Sequence, residues 1–162
     1  MVRLKARYIL FDVIYPPSSL SGPQVPTHSR TQALLQFHQT SSSVNLRVIA
    51  ELVKRNIKLL FGDNGEGLVA LSLVVKYFSA KTSTGIIRCS RDHFKYVVAA
   101  LTIINKINDK DVIVRVLRVS GTIKKSENFA IERSRRLMRD MNLKGEETVD
   151  EFENITEDEE DD

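Results

Sequence analysis

The chain of 162 residues carries one cysteine, Cys89, and only three histidines. A lone cysteine excludes an internal disulfide, and with scattered histidines it argues against a structural zinc site. No apolar run approaches the roughly 18 residues of a membrane span. The opening Met-Val-Arg-Leu-Lys-Ala-Arg lacks the apolar stretch and small-residue cleavage pattern of a secretory signal. These absences lead to the expectation of a soluble intracellular protein, without a membrane partner, in a reducing compartment.

Base is missing from the end of the chain. All 24 Lys and Arg precede residue 146, where only 10 of the 21 acids lie, so the body carries 24 − 10 = +14. The remaining 11 acids crowd into Glu146–Asp162, a −11 tail concealed by the overall +3. A folded body so cationic calls for an anionic partner, and nucleic acid is the commonest. The tail is too charged and too poor in apolar residues to fold. It reads either as a solubilising appendage or as a cover over the basic body that nucleic acid displaces. The domain organisation is one domain over 1–145, with a Pro-, Ser-, Thr- and Gln-rich surface insertion over 16–43, and the 146–162 tail.

Tyr8–Tyr15 reads as a strand, with Ile9, Phe11 and Val13 on one face and Tyr8, Leu10, Asp12 and Ile14 on the other. Arg3, Lys5 and Arg7 share the parity of Ile9, so they must overhang the sheet or precede the strand. A helical turn is expected at Ala33–Phe37. Val44–Phe61 reads as a helix with apolar Leu46, Ile49, Val53, Ile57 and Leu60, stopped by Gly62. Asp63–Gly67 reads as a turn and Leu68–Phe78 as the longest strand. A loop Ser79–Thr84 leads to a strand Gly85–Cys89, then a helix Arg91–Ile107 capped by Ser90. Val112–Gly121 is a fourth strand whose muddled alternation hides its buried face. Ser126 would cap a last helix, Glu127–Met141, burying Ala130, Ile131, Ser134, Leu137, Met138 and Met141. The order predicts an α+β fold, the ferredoxin-like split βαβ sandwich, with a four-stranded antiparallel sheet, two helices on one face and an added C-terminal helix.

Signatures of catalysis are scarce. Gly62–Gly67 is rich in glycine but lacks the Gly-Lys-Ser/Thr ending of a phosphate loop, so a hairpin turn is the better reading. His28 and His38 fall in the insertion as solvated side chains, and His93 is expected at the surface or half-buried near a helix start. Cys89 lies among apolar residues and reads as a small core residue without a base. The tail lacks the glycine and spacing of a calcium loop. No catalytic residues and no metal ligands are expected.

Three segments share one chemistry. Arg3, Lys5, Arg7 and Tyr8 set cations beside an aromatic. Lys76, Tyr77, Lys81, Thr82, Ser83, Thr84, Gly85 and Arg88 combine aromatics, cations, hydroxyls and glycine within one hairpin. Gly121, Thr122, Lys124 and Lys125 repeat the mixture. Cations attract phosphates, hydroxyls bond to them, and glycine lets the backbone come close. Tyrosines can stack on unpaired bases, which suits irregular RNA. Arg133, Arg135, Arg136 and Arg139 on the last helix would serve RNA or a protein partner.

The segments Met1–Tyr8, Tyr77…Thr84-Gly85…Arg88-Cys89 and Gly121-Thr122-Ile123-Lys124 together resemble the small basic protein subunit shared by ribonuclease P and ribonuclease MRP, in its fungal form. The resemblance covers the first strand and Leu68 to about Arg136. It implies a non-catalytic subunit of a nuclear, largely nucleolar ribonucleoprotein, with ribonuclease P RNA and ribonuclease MRP RNA as partners. The implied partners extend to a TIM-barrel-like subunit, the particle's other subunits and, indirectly, precursor tRNA. The chemistry, 5′ leader removal from precursor tRNA or cleavage of precursor rRNA, would belong to the RNA and its magnesium, with no cofactor on this chain. The insertion and tail depart from compact members of the family. Two rivals remain: a protein-docking scaffold of another RNA-processing particle with no direct RNA contact, and a small acylphosphatase-like enzyme. The latter lacks a phosphate-binding arginine loop and a positioned asparagine at the end of the first strand.

Overall fold

Strand β1 (Ala6–Ile14) carries two apolar sets of opposite parity, and each enters a different core. Ile9, Phe11 and Val13 join the larger cluster; Tyr8 and Leu10 join a smaller one on the reverse face. The computed structural model describes residues 5–16 and 44–140, with the side chains of Leu137, Met138 and Asp140 set aside. Arg3, residues 17–43 with the expected turn at Ala33–Phe37, Met141 and the 146–162 tail lie outside the described residues.

Helix α1 (Leu46–Ala70) starts at Asn45, whose side-chain oxygen accepts from the Arg47 and Val48 amides at 3.0 and 3.1 Å. Ile49, Val53 and Ile57, one turn apart, are buried along one stripe. The expected stop at Gly62 is a kink instead. Gly62 does leave the helix (φ 66°, ψ −166°), but helical geometry resumes and runs to Ala70, so the expected turn Asp63–Gly67 and the start of the expected long strand are corrected. Beyond the kink, Gly65 is pressed beneath Phe61, where an added Cβ would lie 2.3 Å from the phenylalanine Cβ, and Val69 is fully buried. Lys58 clasps Asp63 at 2.8 Å and Glu66 at 3.4 Å across the bend.

Strand β2 is only Val74–Ser79 and turns through residues 80–83 into β3 (Thr84–Ser90). Helix α2 is shorter than its expected Arg91–Ile107, spanning Phe94–Thr102. Ser90 accepts from the Asp92 amide in a turn before the helix rather than capping it, and half-buried His93 takes the cap position without a side-chain bond. After α2, β4 (Lys106–Ile107) and β5 (Lys110–Asp111) form a small hairpin about Asn108 and Asp109, both at positive φ. Ile107, buried at 1% exposure, keeps the apolar spacing of α2 going in sequence without being in the helix.

Strand β6 (Ile113–Ser120) completes a sheet ordered β2-β3-β1-β6, antiparallel at every step. This is the expected ferredoxin-like topology, with α1 and α2 against one face. The muddled alternation of β6 has a physical cause. Leu10 faces Arg118 while Phe11 faces Val116, so Leu117 is an extra residue in a bulge. Val114 and Val116 therefore face the main core while Leu117 packs in the second cluster.

Helix α3 (Ile123–Asp140) begins four residues before the expected start, directly after the Gly121-Thr122 bend. Ser126 is thus no cap but a buried helix residue, its hydroxyl without a partner. The helix lies over β1 and β6 on the face opposite α1 and α2, closing the second cluster with Ile123, Ala130, Phe129 and Ile131. Burying apolar surface on both faces makes the molecule three-layered there.

Candidate nucleic-acid interface

The register of β1 sorts the expected RNA-binding residues to two ends of the sheet. At the start of β1, Tyr8 pairs with Arg88 on one side and Ser120 on the other. Lys5 is exposed just before the strand, and its carbonyl accepts from the Arg91 amide at 2.8 Å. Arg7 stays in register with Cys89 but escapes the core. Its guanidinium turns back to the Ala6 carbonyl at 3.0 Å and lies beside Gly121, 3.6 Å from where a Cβ would stand. Gly121, Thr122, Lys124 and Lys125 are exposed where α3 begins. The free amides of that helix end carry partial positive charge, and no acid occupies its first turn. Lys5, Arg7, Lys124, Lys125 and the helix terminus make one anion-attracting end. Arg88, half-buried, lines a neighbouring cavity of about 100 Å³ with Lys5, Ser72 and Ser90.

At the other end, Asp12 pairs with Thr84 and Arg115, and the Val13 amide donates to the Ser83 carbonyl at 2.8 Å. The hairpin turn carrying exposed Lys81 belongs here. Five residues of strand separate Arg7 from Asp12, about 17 Å. Arg7 and the hairpin turn therefore do not converge on one spot.

Several expected contacts turn inward. Ser83 and Thr84 are buried, and the Thr84 hydroxyl donates to the Thr82 carbonyl at 3.0 Å. Gly85 is a packing glycine: a Cβ would stand 2.5 Å from Phe11 Cζ and 3.0 Å from Phe78 Cδ2. Its lack of a side chain serves the core, not the approach of a phosphate. Tyr8 is only 9% exposed beneath α3, so its ring is not offered to bases. Lys76 and Tyr77 are half-buried, Tyr77 against the second cluster. On α3, Arg135, Arg136 and Arg139 are exposed, and Arg136 pairs loosely with Glu132.

Arg133 does something else. Its Nη2 donates to Asp12 Oδ2 at 2.9 Å, while Arg115 holds the same carboxylate through Nε at 3.0 Å and Nη2. Asp12 is wholly buried, and its hydrogen bond raises the Arg115 guanidinium further above its ordinary range. Sequence reasoning missed Arg115 and the role of Asp12. The available signal was an acid within Phe-Asp-Val and a base within Val-Arg-Val, opposite charges inside two apolar strands. Arg118 was missed too; its guanidinium stands 5.1 Å over the Phe129 ring.

Cys89 is the buried core residue expected, its thiol pushed up to about 11 by burial. Among the described residues no group of three or more His, Cys, Asp or Glu side chains is placed to hold a metal ion, and no helix is long and apolar enough to cross a membrane.

Residues 7–131 match the Rpp14/Pop5 family. The Ribonuclease P/MRP protein subunit POP5 of Schizosaccharomyces pombe is 46% identical over 148 residues, 90% of this chain and 97% of the relative. Its namesake from Saccharomyces cerevisiae is 43% identical over 140 residues, 85% and 80% of the two chains. A chain in the cryo-EM structure of yeast Ribonuclease MRP aligns over 88% of this chain and 98% of its own length, with TM-score 0.48 and 9% identity.

Proposed function

The chain belongs to the Rpp14/Pop5 family, and we propose that it is a protein subunit of the ribonuclease P and ribonuclease MRP ribonucleoproteins that grips their RNA. The observation carrying this reading is the gathering of Arg7, Lys124 and Lys125 around the start of α3, with Lys5 two residues before Arg7, in a chain whose relatives are named as subunits of those particles. Such an end attracts phosphates without reading bases, which suits a support for a folded RNA. The protein would hold the catalytic RNA region in shape for 5′ leader removal from precursor tRNA and for precursor rRNA processing. The cutting would be the work of the RNA and its magnesium; the buried Cys89, with its raised thiol, is unsuited to nucleophilic attack.

Part of the surface suits a protein instead. Leu59 is 77% exposed on α1, and Leu71, just after that helix, is 99% exposed at the lip of the cavity it shares with Lys5 and Arg88. This apolar side would receive another subunit of the particle, the TIM-barrel-like one in this reading. Work in such a particle would put the protein in the nucleus, largely the nucleolus.

Purification of the native protein under mild salt tests the reading. Both RNAs and precursor-tRNA cleaving activity should accompany it. RNA-free recombinant chain cleaving precursor tRNA unaided, or a native preparation without either RNA, would overturn it.

A further inference from the structure

The cluster around Asp12 lies about 17 Å along β1 from the cationic start of α3 and uses none of its residues. Asp12 is fully buried, whereas the side chains of Arg115 and Arg133 remain 40% and 26% exposed. Each guanidinium thus reaches inward to the carboxylate and keeps part of itself in solvent. Arg115 uses Nε and Nη2 on Asp12 and Arg133 uses one Nη2, out of the five N–H donors each possesses. One carboxylate against two guanidiniums leaves net +1, and the Lys81 turn abuts the same end of β1.

We infer that Arg115 and Arg133, held by Asp12, form a second phosphate seat for structured RNA, separate from the end at the start of α3. This rests on the RNA-binding reading above and adds a second site to it. A single bidentate arginine would neutralise Asp12; the second brings surplus charge and fixes both planes. Guanidiniums already fixed by a buried acid lose little freedom when they take a phosphate, and their fork geometry matches its oxygens. Asp12 is then a positioning residue that touches no RNA. With seats at both ends of β1, too far apart for adjacent phosphates, the protein would bridge two stretches of RNA backbone.

A merely structural staple between α3 and the sheet is separated from this by its readouts. The full chain would be bound to ribonuclease P RNA across a salt series, with phosphorothioate interference mapping the phosphates contacted. Arg133→Gln leaves Asp12 forked by Arg115, and should flatten the log–log salt slope by about 0.7–0.9 and erase one interference tract. Lys124→Gln should erase a different tract. Asp12→Asn keeps both cations but frees them, so affinity should fall several-fold with the slope little changed. If Arg133→Gln lowers only the melting temperature, with slope and tracts intact, the seat does not exist. Loss of the same tract by both variants would likewise reduce the two seats to one. Absence of salt-dependent binding by the unaltered chain would overturn the parent reading, and this one with it.

Discussion

Arg133 of α3 donates to the buried carboxylate of Asp12, 121 positions earlier in the chain, at 2.9 Å. That bond ties the last helix to a central strand through an acid with no access to water. It also changes what the basic last helix is. Arg133 reaches inward to that acid and keeps 26% of its side chain in solvent, while Arg135, Arg136 and Arg139 are exposed.

Removal of Asp12 as Asp12→Ala should therefore be costly, about 3–5 kcal/mol, because two guanidiniums would face each other without their counter-ion. Arg115→Ala should approach the same loss. Arg133→Ala should cost less, about 1–2 kcal/mol, since the Arg115 fork remains. Urea unfolding followed by far-UV circular dichroism gives the three values, and equal effects for all three would contradict the geometry.

Two glycines should respond oppositely to alanine. Gly85→Ala drives a methyl into Phe11 and Phe78 and should destabilise by about 1–3 kcal/mol. Gly67→Ala meets nothing within 4 Å on a helical stretch and should be neutral or stabilising by up to about 1 kcal/mol. Thermal melts of both variants check the contrast.

The cationic start of α3 predicts a change in salt dependence. Replacing Lys5, Arg7 and Lys124 together by alanine should flatten the log–log slope of RNA binding by up to roughly two units. Tyr8→Leu, at a buried position, should alter stability more than that slope. An unchanged slope in the triple variant would remove this end from the interface.

The Cys89 thiol gives a pH signature. Its folded value is raised to about 11 from an ordinary 9.0, so the contribution is fully present below the unfolded value and is lost as pH rises through the folded one. Stability should therefore decline between about pH 9 and 11, and Cys89→Ala should remove that part of the decline. Alkylation by iodoacetamide at pH 8 should be on the order of a hundredfold slower in the native protein than in urea.

Leu59→Asp should leave RNA binding and folding nearly intact, its side chain being 77% exposed on α1. Co-purification of a partner subunit with the native particle should be lost. Retention of every subunit would exclude this side as a docking surface.

Sequence alternation read β1 correctly because each of its faces meets a different core and both sets of apolar residues were visible. The same rule failed on β6, where the extra Leu117 shifts the parity midway. Gly62 was rightly marked as leaving the helix, yet nothing local revealed that Gly65 and Val69 would pack well enough to restart it. Ile104 and Ile107 kept helical spacing into a hairpin, and only Asn108-Asp109 announced the turn. At the candidate site, the cations near Gly121 were legible from composition. The Asp12–Arg115–Arg133 cluster was not, because its members come from three distant segments.

The helix laid over β1 and β6 also limits what this protein can discriminate. With Tyr8, Leu10 and Ile86 sealed beneath or beside it, the central strands present no aromatic platform on which nucleobases could be splayed and identified. Letter-by-letter reading on that face of the sheet is thereby closed off. Selectivity among transcripts would have to come from contour, that is, from which folded RNAs bring their backbones to the two rims at the right separation.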